Sequence, residues 1–203
     1  MKKSSIVCSG LVVICLSGLV HAIDVDDPPQ GVFSDEWYVL MLDGSKAGHM
    51  HSTMERLQGG GEDIIRSEIQ MSISMGRDDV QLTVTSTQMT EETLSGEPRR
   101  FEQRMQLGRI PVTTRGTIRD GQVRVTKAQF GLPTTRTYDL PEGAMMSWAA
   151  YREQLKRGLE PGLKYELSVY EPSLAPDLLV PTTFEVFEPE ELDARIGAVL
   201  ARA

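Results

Sequence analysis

Between Glu36 and Lys127 the chain reads as strands and turns, and the two-residue alternation of apolar and polar residues in several of those strands restricts the fold more than anything else in the chain. Ile69, Met71, Ile73 and Met75 fall on one side of an extended segment, with Glu68, Gln70, Ser72 and Ser74 on the other. Val80, Leu82 and Val84 oppose Gln81, Thr83 and Thr85, and Phe101, Met105 and Leu107 repeat the pattern. Further strands are predicted over Glu36–Leu42, Lys46–Leu57, Val112–Arg119 and Gln122–Lys127. Asp43-Gly44 and Asp120-Gly121 supply the positive φ angles that two-residue hairpin turns need. Gly59-Gly60-Gly61 has no Lys-Ser/Thr after it and no helix opening there, so it reads as a hairpin tip rather than a phosphate cradle.

Half-polar strands joined in this way form an antiparallel meander with one face buried. Such a sheet must curl, pack on something or close. The expected architecture is mainly β: a curled antiparallel meander sheet or half-barrel covered by one helix, with a C-terminal helix. The covering helix is placed at Ala144–Arg157, where Met145, Trp148, Ala149, Tyr151 and Leu155 fall near helical spacing ahead of Gly158. Two more strands are expected at Lys164–Glu171 and Thr182–Glu188. The C-terminal helix is expected over Glu190–Ala203, striped by Leu192, Ile196, Val199 and Leu200.

The N-terminus has a different character. Lys2 and Lys3 precede an apolar run from Ile6 to Val20, and Val20-His21-Ala22 offers a cleavage site. The run is shorter than the roughly 20 apolar residues of a spanning helix. Residues 1–22 are therefore expected to be a cleaved export signal, 23–34 an extended leader and 35–203 a single β-rich domain. The expected location is periplasmic or extracellular. Cys8 and Cys15 both lie in the signal, which leaves the remainder without disulfides, thiolate catalysis or thiolate metal ligation. Removing the signal leaves 19 basic against 29 acidic residues. That balance argues against nucleic acid or an anionic membrane surface as a partner through general electrostatics, and stable membrane insertion is not expected.

Chemistry is sparse. His49 and His51 share one face of a strand with Glu55, the sharpest constellation in the chain. Two imidazoles and a carboxylate open a metal-dependent hydrolase reading, but a site needs three or four ligands and no further histidine or cysteine follows the signal. There is no Gly-x-Ser-x-Gly elbow, and adjacent acids such as Glu91-Glu92 point to opposite faces of a strand. No catalytic residue, cofactor or metal ligand is assigned, and the chain is not expected to be an enzyme.

Methionine is the compositional oddity, with Met41, Met50, Met54, Met71, Met75, Met89, Met105, Met145 and Met146 after the signal. Methionine fills irregular cores, and it also lines adaptable apolar grooves. A carrier of an apolar ligand, a lipid or lipoprotein segment, is one function this pattern allows; a protein partner is another.

Glu36-Trp37-Tyr38, the turn Asp43-Gly44-Ser45-Lys46-Ala47-Gly48-His49, the step Leu159-Glu160-Pro161-Gly162-Leu163-Lys164-Tyr165 and the strand ending Val169-Tyr170-Glu171-Pro172 occur in that order. Together they resemble the N-terminal β domain of secreted bacterial transglutaminase-like proteins, over about Glu36 to Phe187. The resemblance implies a curled antiparallel sheet serving as a non-catalytic companion domain for binding or interaction. Those enzymes carry a Cys-His-Asp triad in a following domain, and no residue here corresponds to it.

Overall fold

A computed structural model describes residues 11–15, 23–42, 45–59, 61–77, 80–108 and 110–187. Eight strands pair antiparallel in simple sequence order: β2 (Gly31–Leu42), β3 (Ser45–Gly59), β4 (Glu62–Arg77), β5 (Val80–Thr93), β6 (Pro98–Leu107), β7 (Ile110–Arg119), β8 (Gln122–Gln129) and β9 (Leu132–Asp139). The sheet is open, since β9 pairs with β8 alone. A short strand β1 (Leu11–Cys15), inside the stretch read as an export signal, pairs along Tyr38–Leu42 of β2. After β9 come α1 (Ser147–Arg157) and a separate two-stranded ribbon, β10 (Lys164–Val169) with β11 (Val180–Glu185).

The alternation read from the sequence is the one the ladder uses. One face carries Met54, Ile65 and Phe101 beneath α1 and is called the covered face here; the other faces outward. The buried side chains form two clusters. Trp148 packs with Met54 and Ile65, with Phe33 standing edge-on to it at 5.5 Å. Met146 and Tyr170 pack with Phe101, Ile118, Val123 and Val125. Phe101 lies across Gly116 of the next strand, where a Cβ would stand 2.4 Å from the ring, so glycine is required for this packing. The Asp120-Gly121 turn has φ values of 50° and 71°, as its sequence required.

Several boundaries differ from expectation. Residues 31–34 belong to β2 rather than to an extended leader, because Phe33 supplies a core contact. The residues before it are also held down. Arg56 donates to Asp27 at 2.6 Å and to the Pro28 carbonyl at 2.6 Å, and Arg152 donates to Asp26 at 2.6 Å and to the Val25 carbonyl at 3.0 Å. The helix begins at Ser147, and Met145 instead bridges Val169 of β10. β9 is a strand the pattern did not mark. Asp43-Gly44 and the expected C-terminal helix at 190–203 lie outside the described residues.

Candidate functional site

Reading the cross-strand partners along the sheet divides the covered face into bands. Nearest the helix run Ser34, Met54, Ser67, Thr90, Phe101, Gly116 and Val125. Two residues along each strand lies a polar band: Glu36, Ser52, Ile69, Gln88, Gln103 and Thr114. Glu36 accepts hydrogen bonds from Ser34, Tyr38 and Tyr151, and Gln88 donates to Glu171 at 2.7 Å. Beyond it the face turns apolar again. Tyr38, Met50, Met71, Ser86, Met105 and Val112 form one row, and Leu40, Gly48, Ile73, Val84, Leu107 and Ile110 the next.

Leu40 and Ser86 in these outer rows are buried, but the other residues are not packed into the helix-covered core. Met50, Met71, Ile73, Val84, Met105 and Val112 are only half-buried, Leu107 is 43% exposed, and none belongs to either buried cluster. The methionine faces were therefore legible from the period. Their division into a packed part, with Met54 and Met146 buried, and an unpacked part was not.

What fixes the helix over the sheet is a carboxylate. Met146, at the N-cap position, offers no side-chain cap. Glu92, fully buried on β5, accepts from the Trp148 backbone N–H at 2.7 Å and from the Ala149 N–H at 3.1 Å. It thus satisfies donors that a helix start leaves open. The Trp148 indole N–H donates to the Leu94 carbonyl at 3.0 Å and ties the same turn to the end of β5. Burial pushes the Glu92 carboxyl from its ordinary 4.5 up to about 7, against the opposing pull of the N–H groups of Trp148, Ala149 and Met146. Sequence reading missed this residue, treating it as one of an adjacent acid pair.

His49 and His51 share the face opposite Met54, the outward one. His51 Nε2 is 2.7 Å from Asp35 Oδ1, and its ring stacks on Trp37 at 4.2 Å between centroids; His49 is tilted to the same indole at 6.0 Å. They border a shallow cavity of about 210 Å³ with Gln70, Ser72 and Thr87. Glu55 is paired across the ladder with Val32 and Arg66 and does not join them in a ligand set. Among the described residues no group of three or more His, Cys, Asp or Glu is placed to hold a metal ion.

Fold and site together define a mainly β protein: an open eight-strand antiparallel meander with one helix packed on one face and an apolar band left beside it. No family model matches the chain, and neither does any curated protein or solved structure.

Proposed function

We propose that this is an exported, non-catalytic binding domain that holds an apolar ligand, an acyl chain or an apolar peptide segment, along the methionine band of its covered face. The observation that carries this reading is the band itself: Met50, Met71, Ile73, Val84, Met105 and Val112 left half-buried beyond the helix, with Leu107 and Ile110 exposed at its edge. Polarisable, unbranched methionine adapts to a chain of undefined shape, and the polar band from Glu36 to Thr114 marks where such a chain would end.

A curled, half-barrel sheet belongs to the same reading. Its support is that Phe33 of β2 packs on Trp148 while Val123 and Val125 of β8 pack in the cluster of Met146, two residues away. Six inter-strand steps on a flat sheet would separate β2 from β8 by about 29 Å, so clusters reaching both strands from one short segment favour a sheet that bends around it. The order of motifs that resembles the companion domain of transglutaminase-like proteins suits the same class of role.

The test is binding of a fluorescent fatty acid to natively folded protein, with lipid extracted from protein recovered after export as the second measurement. Saturable binding is expected, weakened about tenfold when Met71 and Met105 are both replaced by Gln, since about 1–2 kcal/mol of apolar contact is lost. Fluorescence that develops only as the protein unfolds would overturn the reading.

A further inference from the structure

The chain is acidic as a whole, with 21 basic and 29 acidic residues, but the charge is unevenly placed. From Pro98 to Asp139, the span of β6 to β9, there are nine Lys and Arg against three Asp and Glu. These strands are contiguous in the sheet and end at its free edge. The acids of this part do little to neutralise it. Glu102 is already held by Arg104 at 2.9 Å and Arg100 at 3.6 Å, and Asp120 and Asp139 lie at the far end, away from the β8–β9 turn. Arg115, Arg119, Arg124, Lys127 and Arg136 are exposed, and none makes an ion pair with another described residue; Arg119 and Arg124 lie toward the Asp120 end, and Lys127 and Arg136 stand nearer the β8–β9 turn.

The β8–β9 turn, at one end of this basic region, is built against its own stability. Its two central residues, Phe130 and Gly131, have φ values of 53° and 78°. That geometry suits Asn-Gly or Asp-Gly, and a bulky side chain there is strained. The strained residue is also wasted on water: Phe130 is 70% exposed and its neighbour Leu132 76%. A projecting aromatic and a leucine, with the unpaired Lys127 and Arg136 behind them on β8 and β9, lower no energy of the isolated domain.

We propose that the β8–β9 tip docks the protein onto an anionic phospholipid surface, with Phe130 and Leu132 entering the headgroup layer and Lys127 and Arg136 behind them facing lipid phosphates. The dimensions fit. Lys127 lies three residues before Phe130, about 10 Å along the strand, so a tip buried about 5–10 Å brings it to the phosphate level. Arg136, across the ladder from Val125 and diagonal to Lys127, then stands within about one further Debye length. The aliphatic Leu132 favours lipid over nucleic acid, which would use the cations and a stacking ring but gains nothing from a leucine. This contact is independent of whether the methionine band holds a ligand.

Protein recovered after export is sedimented with vesicles of phosphatidylcholine alone, or of phosphatidylcholine with a minority of phosphatidylglycerol. Salt-sensitive binding to the second and not the first is expected. Phe130→Asn gives the turn its favoured Asn-Gly, so the variant folds at least as well while binding falls about tenfold through lost apolar contact. Replacing Lys127 and Arg136 together by Ser reduces binding about 25-fold, roughly fivefold for each charge. Equal binding to both vesicles would overturn the proposal, and so would full binding by Phe130→Asn, which assigns the contact to another segment. Tighter binding to double-stranded DNA, unaffected by Phe130→Asn, would make this a polyanion surface rather than a lipid one and overturn it equally.

Discussion

Replacing Glu92 by Gln should reverse its effect on stability between acid and alkaline conditions. The folded protein holds the Glu92 proton more tightly than the unfolded chain, because the fully buried carboxyl has its ordinary 4.5 raised to about 7. At about 1.4 kcal/mol per tenfold change in proton affinity, that difference amounts to roughly 3 kcal/mol. The sign follows from which state binds the proton. The contribution is fully present below about pH 4.5, declines above it and is lost as the pH passes about 7. A glutamine in its place has no such dependence. The glutamine carbonyl still accepts from one of the two N–H groups of Trp148 and Ala149, but its amide cannot accept from the other, a loss of about 1 kcal/mol. In urea unfolding at matched pH, Glu92→Gln should therefore be the less stable protein near pH 5 and the more stable one near pH 8. Taking the difference between the two proteins cancels the other titrating groups. A wild-type advantage that stays constant or grows from pH 5 to pH 8 would refute the argument. It would mean that the backbone N–H groups and the helix dipole outweigh burial at this carboxylate.

Three further outcomes follow from the packing. Gly116→Ala should cost about 1–3 kcal/mol in urea unfolding, because its Cβ would stand 2.4 Å from the Phe101 ring and 2.9 Å from the Arg124 carbonyl. Ser67 and Thr90 face each other across β4 and β5, each 1% exposed, with hydroxyls that have no hydrogen-bond partner among the described residues. Ser67→Ala and Thr90→Val should each leave stability unchanged or raise it by up to about 1 kcal/mol, measured in the same way. Replacing His49 and His51 together by Ala should change stability by less than about 1 kcal/mol, since both lie on the outward face and the Asp35 pair is exposed. The metal content of the purified protein, measured by mass spectrometry, should not change.

The sheet was legible because its evidence is local. An alternation such as Ile69, Met71, Ile73 and Met75 states which residues share a face, and Asp120-Gly121 states where the chain reverses. β9 escaped because neither signal is present. Leu132–Asp139 is nearly all exposed, so no buried face imposes a period, and the turn before it is Phe-Gly rather than Asn-Gly or Asp-Gly. The helix start was misplaced for a different reason. Helix termini are recognised by a capping residue in their own sequence, and here the cap comes from Glu92, 56 residues before Trp148. The role of Glu92 is a product of the β4–β5–β6 pairing and of the helix returning over it.

The same limit bears on composition as a guide to surface partners. A formal charge of −8 predicts repulsion from anionic lipid only if charge is spread evenly, because exposed charges separated by more than about 8–10 Å act nearly independently in salt. A meander in strict sequence order converts a bias along the chain into a bias across the sheet. Consecutive strands are spatial neighbours, so a basic stretch such as Pro98–Asp139 becomes a contiguous basic region at one edge. In a fold with crossover connections the same stretch would be interleaved with acidic strands and averaged out. For the proposed docking the relevant quantity is thus the charge of β6 to β9, and its sign is opposite to that of the whole chain.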